Sequence, residues 1–195
     1  HLSNVHVKLI SYTAQIANAH PSTICRAVAT AIDTIHLSAF QRKVLEVEAS
    51  ILRDDPELVG AYNIVPLTAV VGEFKDWTRR MDWLWEMVQF MLAKDKKGEV
   101  CHGAHLMDRL RLELQSGYRD VQDTAMSLVT VAETAWLKQV SAWILYGRLP
   151  SFGIEDFFVQ NVQDSDEVGL HPTHMTTIID LTRSIYHGQA CCPPL

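Results

Sequence analysis

The fold is decided by residues 67–91, which read LTAVVGEFKDWTRRMDWLWEMVQFM. Apolar side chains recur there three or four residues apart for more than three heptads, and this spacing lines one face of an α-helix. The members of this stripe are Leu67, Val70, Phe74, Trp77, Met81, Leu84, Val88 and Met91. The stretch therefore predicts a long helix, with Pro66 in its first turn and a kink at Gly72.

The segments on either side carry the same helical period. One long helix is predicted over residues 22–53, with a bend near His36 and an inward stripe of Ile24, Val28, Ile32, Ile35, Phe40, Val44, Val47 and Ile51. Two more helices are predicted over residues 102–115 and 119–146, and the second ends at Gly147. Because no alternating run predicts a strand, the fold class is all-α, an elongated bundle of about five to seven helices, some long and mostly antiparallel.

The character of the chain changes after Pro150. Residues 1–160 are predicted to form one helical-bundle domain, whereas residues 161–195 are predicted to be an acidic linker with a short helix at about 177–186. The sequence opens on His1 without a signal peptide, so we expect it to be a piece of a longer protein.

Composition excludes several classes of partner. Seventeen Lys and Arg against 23 Asp and Glu give a net charge of −6, and the longest basic runs are pairs such as Lys96-Lys97. This distribution offers no electrostatic footprint for nucleic acid or an anionic membrane. No apolar segment reaches the length of a membrane span, and four scattered cysteines suit a reducing compartment such as the cytosol.

Residues that could carry chemistry form no recognised site. Cys101, His102, His105, His171 and His174 lack the paired spacing of a zinc site, and a polar loop or helix-start role is favoured for them. Cys25 lies on an apolar stripe and is interpreted as a buried thiol, and a capping or solvated role is favoured for Asp54-Asp55 and Glu155-Asp156. Nucleophile-elbow and phosphate-loop motifs are absent from the sequence, so we predict no enzyme, no cofactor and no metal.

A second apolar face is predicted on the helix of residues 67–91. Trp83, Met87 and Phe90 follow each other at spacings of four and three, off the main stripe. Aligned apolar side chains of this size either meet another helix of the same bundle or bind a partner. They are candidate partner-binding residues, although burial against another helix of the same bundle is slightly favoured.

Two further stretches carry a family resemblance. Residues 138–149, KQVSAWILYGRL, followed by Glu155-Asp156-Phe157-Phe158-Val159, resemble the Ala-Trp-x-x-x-Gly run and Glu-x-Phe-Phe-like box of the gamma-tubulin complex protein family. Residues 24–52 also resemble the family helix that precedes an acidic Asp-Pro stop. The likeness covers about residues 22–160 and is greatest to the component four member.

The resemblance implies an N-terminal helical domain that associates side by side with the same domain of neighbouring components in the gamma-tubulin ring complex. It implies a role in microtubule nucleation at the spindle pole, in the cytoplasm. Gamma-tubulin is bound by the family's C-terminal domain, which has no counterpart in these residues, and a small helical accessory protein is a further candidate partner. The residues Trp143, Gly147, Phe157 and Phe158 are expected to lock helices together.

The leading hypothesis is thus a structural component that orients gamma-tubulin through lateral packing of a rigid bundle. The alternative is a helical adaptor or tethering module that holds an amphipathic peptide or small helical partner in an apolar groove.

Overall fold

The computed structural model describes residues 1–53, 65–94, 98, 100–153 and 156–159. These residues form α1 (Leu2–Ala19), α2 (Thr23–Ala31), a π-helical segment (Ile32–Leu37), α3 (Ser38–Leu52), α4 (Leu67–Glu73), α5 (Lys75–Leu92), α6 (Gly103–Glu113) and α7 (Arg119–Tyr146). No strand occurs in the described ranges, where Lys94 and Val100 form an isolated antiparallel bridge. The all-α helical bundle is confirmed.

The helix α1 has no counterpart in the sequence prediction. Its buried residues are Val5, Leu9, Thr13 and Ile16, a stripe interrupted by a polar residue. The Thr13 hydroxyl donates to the Leu9 carbonyl oxygen at 2.7 Å, which removes the cost of burying it. A threonine on the inward face therefore hid the apolar period from the sequence analysis.

The predicted bend near His36 is a π-helical segment between α2 and α3. Its wider turn shifts the inward face by a fraction of a turn. Ile35 was expected inside but is 45% exposed, whereas His36 and Leu37 are buried. Val44 is likewise exposed, at 39%. A strict three-and-four spacing mispredicted these positions because it assumes an unbroken α-helix.

The helix predicted over residues 67–91 is divided into α4 and α5 at Phe74, two residues after the predicted kink. Met81, Leu84, Val88 and Met91 of the predicted stripe are buried, but Leu67 is 75% exposed and no residue of α4 is buried. The break ends the inward stripe because α4 packs mainly against α5.

The core lies where five helices meet. The helix α1 packs against α2 and α5, α2 packs against α7, and α7 also contacts α5 and α6. The largest fully buried side chains come from all five helices and the π-helical segment, and they include Leu9, Ile16, Ile24, Ile32, Leu84, Met87, Leu106, Leu110 and Leu128. Each such side chain contributes about 1.5–3 kcal/mol of transfer free energy on burial.

Within the described residues, every helix is too short or too polar to cross a membrane. The predicted Asp54-Asp55-Pro56 stop, the linker after residue 160 and the helix at 177–186 lie outside the described residues.

Candidate functional site

The end of α7 turns the chain back onto the bundle. Gly147 follows the last helical residue with φ +62°, a left-handed conformation that glycine adopts without strain. Its N–H donates to the Trp143 carbonyl oxygen at 2.8 Å and so satisfies one of the last acceptors of the helix. We call the described residues 147–153 and 156–159 the return segment.

Aromatic rings fasten the return segment to α7. The Trp143 ring meets the Phe157 and Phe158 rings edge to face, with centroids 6.0 and 5.5 Å away, and those two rings are 4.6 Å apart. Trp136, two helical turns earlier, is 6.4 Å from Phe158. Phe157 is 2% exposed. The structure thus brings the residues of the predicted motif into one cluster beside Gly147.

Asp156 joins three parts of the chain through its carboxylate. Its Oδ2 accepts from the Ser22 hydroxyl at 2.6 Å and from the Ile24 N–H at 3.4 Å, at the start of α2. Its Oδ1 accepts from the Gly103 N–H at 2.8 Å, at the start of α6. Negative charge at a helix N-terminus is favourable, and this carboxylate serves two of them. A capping role is therefore correct for Asp156, which is buried, whereas Glu155 lies outside the described residues.

Gly103 is required by this close approach. A Cβ atom at residue 103 would lie 2.6 Å from Cδ1 of Ile24 and 3.0 Å from Oδ1 of Asp156. No side chain fits there without movement of α2 or α6, so glycine at the first residue of α6 lets the two helix starts share one cap.

A buried histidine supports the same junction. The His20 ring accepts from the Ser22 N–H through Nδ1 at 3.1 Å, which leaves Nε2–H to donate to the Met91 carbonyl oxygen, also at 3.1 Å. Burial lowers the pKa of His20, so the ring is neutral and holds the end of α5 against the α1–α2 turn.

One further contact holds α7 to α2, and another holds the return segment to α2. The amide of Gln139 donates to the Thr23 hydroxyl, and the Arg26 guanidinium lies 4.9 Å from the centre of the Phe152 ring. Gly153 has φ +69° and passes close to Thr23. The arrangement offers hydrogen bonds and ring contacts that fix helix positions.

The second apolar face of α5 is largely internal. Trp83 is 7% exposed and Met87 is 1% exposed, both within the core. They are buried because α5 contacts α1 on one side and α7 on another. Trp83 and Met87 are therefore wrong as partner-binding candidates, and burial inside the bundle is the interpretation that holds for them. Phe90 is half-buried and lines a groove.

That groove lies between the end of α5 and the outer face of α6. Its apolar lining includes Phe90, Val100 and Leu112, and its charged lining residues are Lys94, Asp108 and Arg109. Leu112 is 65% exposed. The groove has a volume of about 570 Å³.

The candidate metal ligands among the described residues do not converge on one point. The His102 and His105 rings lie 5.9 Å apart, and no group of three His, Cys, Asp or Glu in the described ranges could hold a metal ion. A hydrogen bond with Cys101 and burial raise the pKa of the Cys25 thiol, so it is a buried thiol as interpreted. His171, His174, Cys191 and Cys192 lie outside the described residues.

The shared cap at Asp156 was missed as such by the sequence analysis. It lies 134 residues from Ser22 and 53 from Gly103, beyond the reach of a local motif. One signal was available: α6 begins at His102-Gly103 without a Ser, Thr, Asp or Asn, and its N-cap side chain makes no capping hydrogen bond. A helix start without its own cap indicates that the cap comes from elsewhere.

Residues 2–184 match the model of one protein family, described as Gamma tubulin complex component N-terminal. The matched range includes every described helix and the return segment. No curated protein and no solved structure matches the chain.

Proposed function

The chain belongs to the gamma-tubulin complex component family, and from this we propose that it is a structural, non-enzymatic part of a gamma-tubulin ring complex that supports microtubule nucleation. The observation that carries the proposal is the family match over residues 2–184. The bundle acts by packing side by side against the same domain of neighbouring components.

Rigidity is what such a role demands of the domain. The helix α7 has 28 residues, a length of about 42 Å at 1.5 Å per residue, and it is packed against α2, α5 and α6. Asp156 and the aromatic cluster fix the return segment to α2, α6 and α7. A domain tied together in this way transmits orientation without bending at its helix starts.

The finer assignments are part of the same proposal. We assign the chain to component four on residues 138–149 and 155–159, and we expect gamma-tubulin to be reached through a C-terminal domain of the parent protein. The parent is expected at the spindle pole, in the cytoplasm, with neighbouring components and a small helical accessory protein as partners. Residues 1–160 remain the proposed bundle and 161–195 the proposed linker.

Affinity capture of the full-length parent, followed by identification of the copurifying chains, tests the proposal. We expect gamma-tubulin and other gamma-tubulin complex components. Recovery of the bait without any tubulin-family protein would contradict the proposal.

A second candidate function rests on the groove at Phe90. Its apolar lining suits the apolar face of an amphipathic peptide. Its charged residues carry both signs, since Asp108 lines it with Lys94 and Arg109, and Arg109 pairs with Glu113 at 3.0 Å. Fluorescence anisotropy with defined helical peptides tests it, with Leu112→Glu as the groove variant and Gln122→Glu on the exposed start of α7 as the control. Equal binding by both variants would remove the groove as the binding site.

A further inference from the structure

One serine of the return segment lies in a charge pattern that protein kinases recognise. Residues 148–151 read RLPS, so the Arg148 guanidinium stands three residues before the Ser151 hydroxyl. This is the only Arg-x-x-Ser or Arg-x-x-Thr among all 195 residues. Kinases select their substrates by the charges around the acceptor, and an Arg binds carboxylates of a kinase cleft through parallel hydrogen bonds. The pattern marks Ser151 as an acceptor for a kinase that requires this Arg.

The backbone of this stretch is accessible to an enzyme. Residues 147–153 follow the end of α7 as irregular chain. Arg148 and Ser151 are both exposed, and Phe152, the next residue, is 48% exposed. A kinase therefore reaches the hydroxyl on a surface loop, without opening a helix or the core.

Three other hydroxyl residues follow a basic residue at the same spacing, but each of them lies within a helix. The pairs are Lys8 with Ser11 in α1, Lys75 with Thr78 in α5, and Lys138 with Ser141 in α7. A helical acceptor has its backbone closed by hydrogen bonds, and the Thr78 hydroxyl also donates to the Phe74 carbonyl oxygen at 3.1 Å. The structure thus favours Ser151 over these three residues as a kinase substrate.

Ser151 also lines a cavity at the shared cap. The cavity has a volume of about 230 Å³, and Ser22 and Asp156 line it together with Ser151. The Asp156 carboxylate already accepts from the Ser22 hydroxyl and from the Gly103 N–H. These donors at the starts of α2 and α6 are therefore in use by one negative group. A second negative group in the same cavity would repel the first.

We propose that Ser151 is a phosphorylation site for a kinase that selects Arg three residues before its acceptor, and that the phosphoryl group loosens the cap at Asp156. The Ser151 Oγ attacks the γ-phosphorus of ATP, and the new O–P bond forms as the bond to the β-phosphate oxygen breaks. ADP leaves, and the catalytic aspartate of the kinase accepts the hydroxyl proton. The product carries a charge of about −1.5 to −2 at pH 7, and beside a carboxylate such a group disrupts the local structure.

The first experiment tests the site on the purified full chain. The chain is incubated with Mg-ATP and the catalytic subunit of cyclic-AMP-dependent protein kinase as the probe, and peptide mass spectrometry locates the phosphate. We expect one phosphoryl group on Ser151, and none on Ser151→Ala. Arg148→Gln should lower kcat/KM for the transfer at least about tenfold, because the kinase loses an Arg–carboxylate pair.

Lys138→Gln is the matched control. It removes a positive charge at the same spacing before Ser141, inside α7, and should leave kcat/KM within about twofold of wild type. Phosphorylation chiefly at another residue, or equal kcat/KM for Arg148→Gln and wild type, would overturn the site.

The second experiment tests the effect on the cap by thermal melts. The phosphorylated chain should melt at least about 2 °C below the unmodified chain. In Asp156→Asn this decrease should fall to about half or less, because the repelling carboxylate is gone. An unchanged or raised melting temperature, or the same decrease in Asp156→Asn, would overturn the loosening of the cap.

Amide hydrogen exchange tests the same effect without a destabilised variant. The N–H groups of Ile24 and Gly103 both donate to Asp156. Their exchange should be at least about threefold faster in the phosphorylated chain. The Gly147 N–H, which donates to the Trp143 carbonyl oxygen, is the control and should exchange at an unchanged rate. Unchanged exchange at Ile24 and Gly103 would mean that the phosphoryl group does not act on the cap.

Discussion

Asp156 shows how one side chain can set the relative position of two helices. Its two oxygens divide between the start of α2 and the start of α6, so neither helix can shift without losing a hydrogen bond to a carboxylate. Hydrogen bonds to charged groups contribute about 1.5–3 kcal/mol each. The return segment is thereby bound to the bundle at the N-termini of α2 and α6, which are the positive ends of their helix dipoles.

Replacement of this carboxylate should destabilise the domain. We expect Asp156→Asn to lower the free energy of unfolding by about 2–3 kcal/mol, because an amide retains one acceptor oxygen and presents an NH₂ group to a donor. Chemical denaturation followed by circular dichroism measures the loss. Asp108→Asn, on the exposed face of α6, is the control and should change little. A wild-type stability for Asp156→Asn would mean that the shared cap contributes nothing.

Two glycines give a matched pair of alanine substitutions. Gly103→Ala should destabilise by about 1–3 kcal/mol, since its Cβ would lie 2.6 Å from Ile24 Cδ1. Gly72→Ala, inside α4 with nothing within 4 Å of the new Cβ, should stabilise by up to about 1 kcal/mol through helix propensity. Thermal melts of both variants measure the two changes in stability. If both variants changed stability in the same direction, the packing described for residue 103 would be contradicted.

His36 makes stability depend on pH. Burial and the nearby Arg80 lower its pKa from 6.5 to about 4. The unfolded state therefore binds a proton at a higher pH than the folded state does. The contribution of His36 to the free energy of unfolding is complete above pH 6.5, and it falls by about 3 kcal/mol in total as the pH decreases toward 4. Burial lowers the pKa of His20 as well, which acts in the same direction.

The measurement is the free energy of unfolding between pH 7.5 and 4.5. His36→Gln keeps a hydrogen-bond donor for the Ser127 hydroxyl oxygen, which lies 2.9 Å from Nε2 of His36, but it cannot titrate. We expect this variant to lose stability less steeply than wild type as the pH falls. Parallel curves would assign the acid sensitivity to other groups.

At the scale of elements, the end of α7 and the return segment act together. Gly147 ends the helix, and the chain returns so that Phe157 and Phe158 meet Trp143. Phe157 is almost fully buried, whereas Trp143 is only half-buried. Truncation of Phe157 and truncation of Trp143 should therefore lower the free energy of unfolding by different amounts.

We expect Phe157→Ala to cost about 3–5 kcal/mol of stability, and Trp143→Ala to cost less because part of its ring already contacts water. Urea unfolding monitored by circular dichroism checks both values. If either variant kept wild-type stability and lost only its association with neighbouring components, the cluster would be a partner-binding surface, and its structural role would be wrong.

At the scale of the whole molecule, the helices share one core. Buried side chains from α1, α2, α5, α6 and α7 belong to a single apolar cluster, and α2 contacts both α1 and α7. A domain with one continuous core unfolds as a unit.

The full chain should accordingly give a helical far-ultraviolet circular dichroism spectrum and one cooperative thermal transition. Trp77, Trp83, Trp85, Trp136 and Trp143 provide a second probe, and their fluorescence change should coincide with the loss of helix. Separate transitions for the two probes would mean that α5 and α7 belong to different cooperative units.

The sequence by itself determined the helical class, the bounds of α7 and its end at Gly147, because a three-and-four apolar period and a glycine cap are local properties of the chain. It also predicted the bend near His36 and the kink near Gly72. It missed α1, where Thr13 interrupts the stripe, and it could not settle whether Trp83 and Met87 meet a partner or another helix.

Only the tertiary structure decided those points. Burial of a helix face depends on which other helices approach it, and the helices that cover α5 lie far from it in sequence. The shared cap at Asp156 likewise exists only after residues 22, 103 and 156 have been brought together. Local patterns fix which residues can face inward, whereas the packing of distant elements fixes what they meet there, because contact energies act through space and not along the chain.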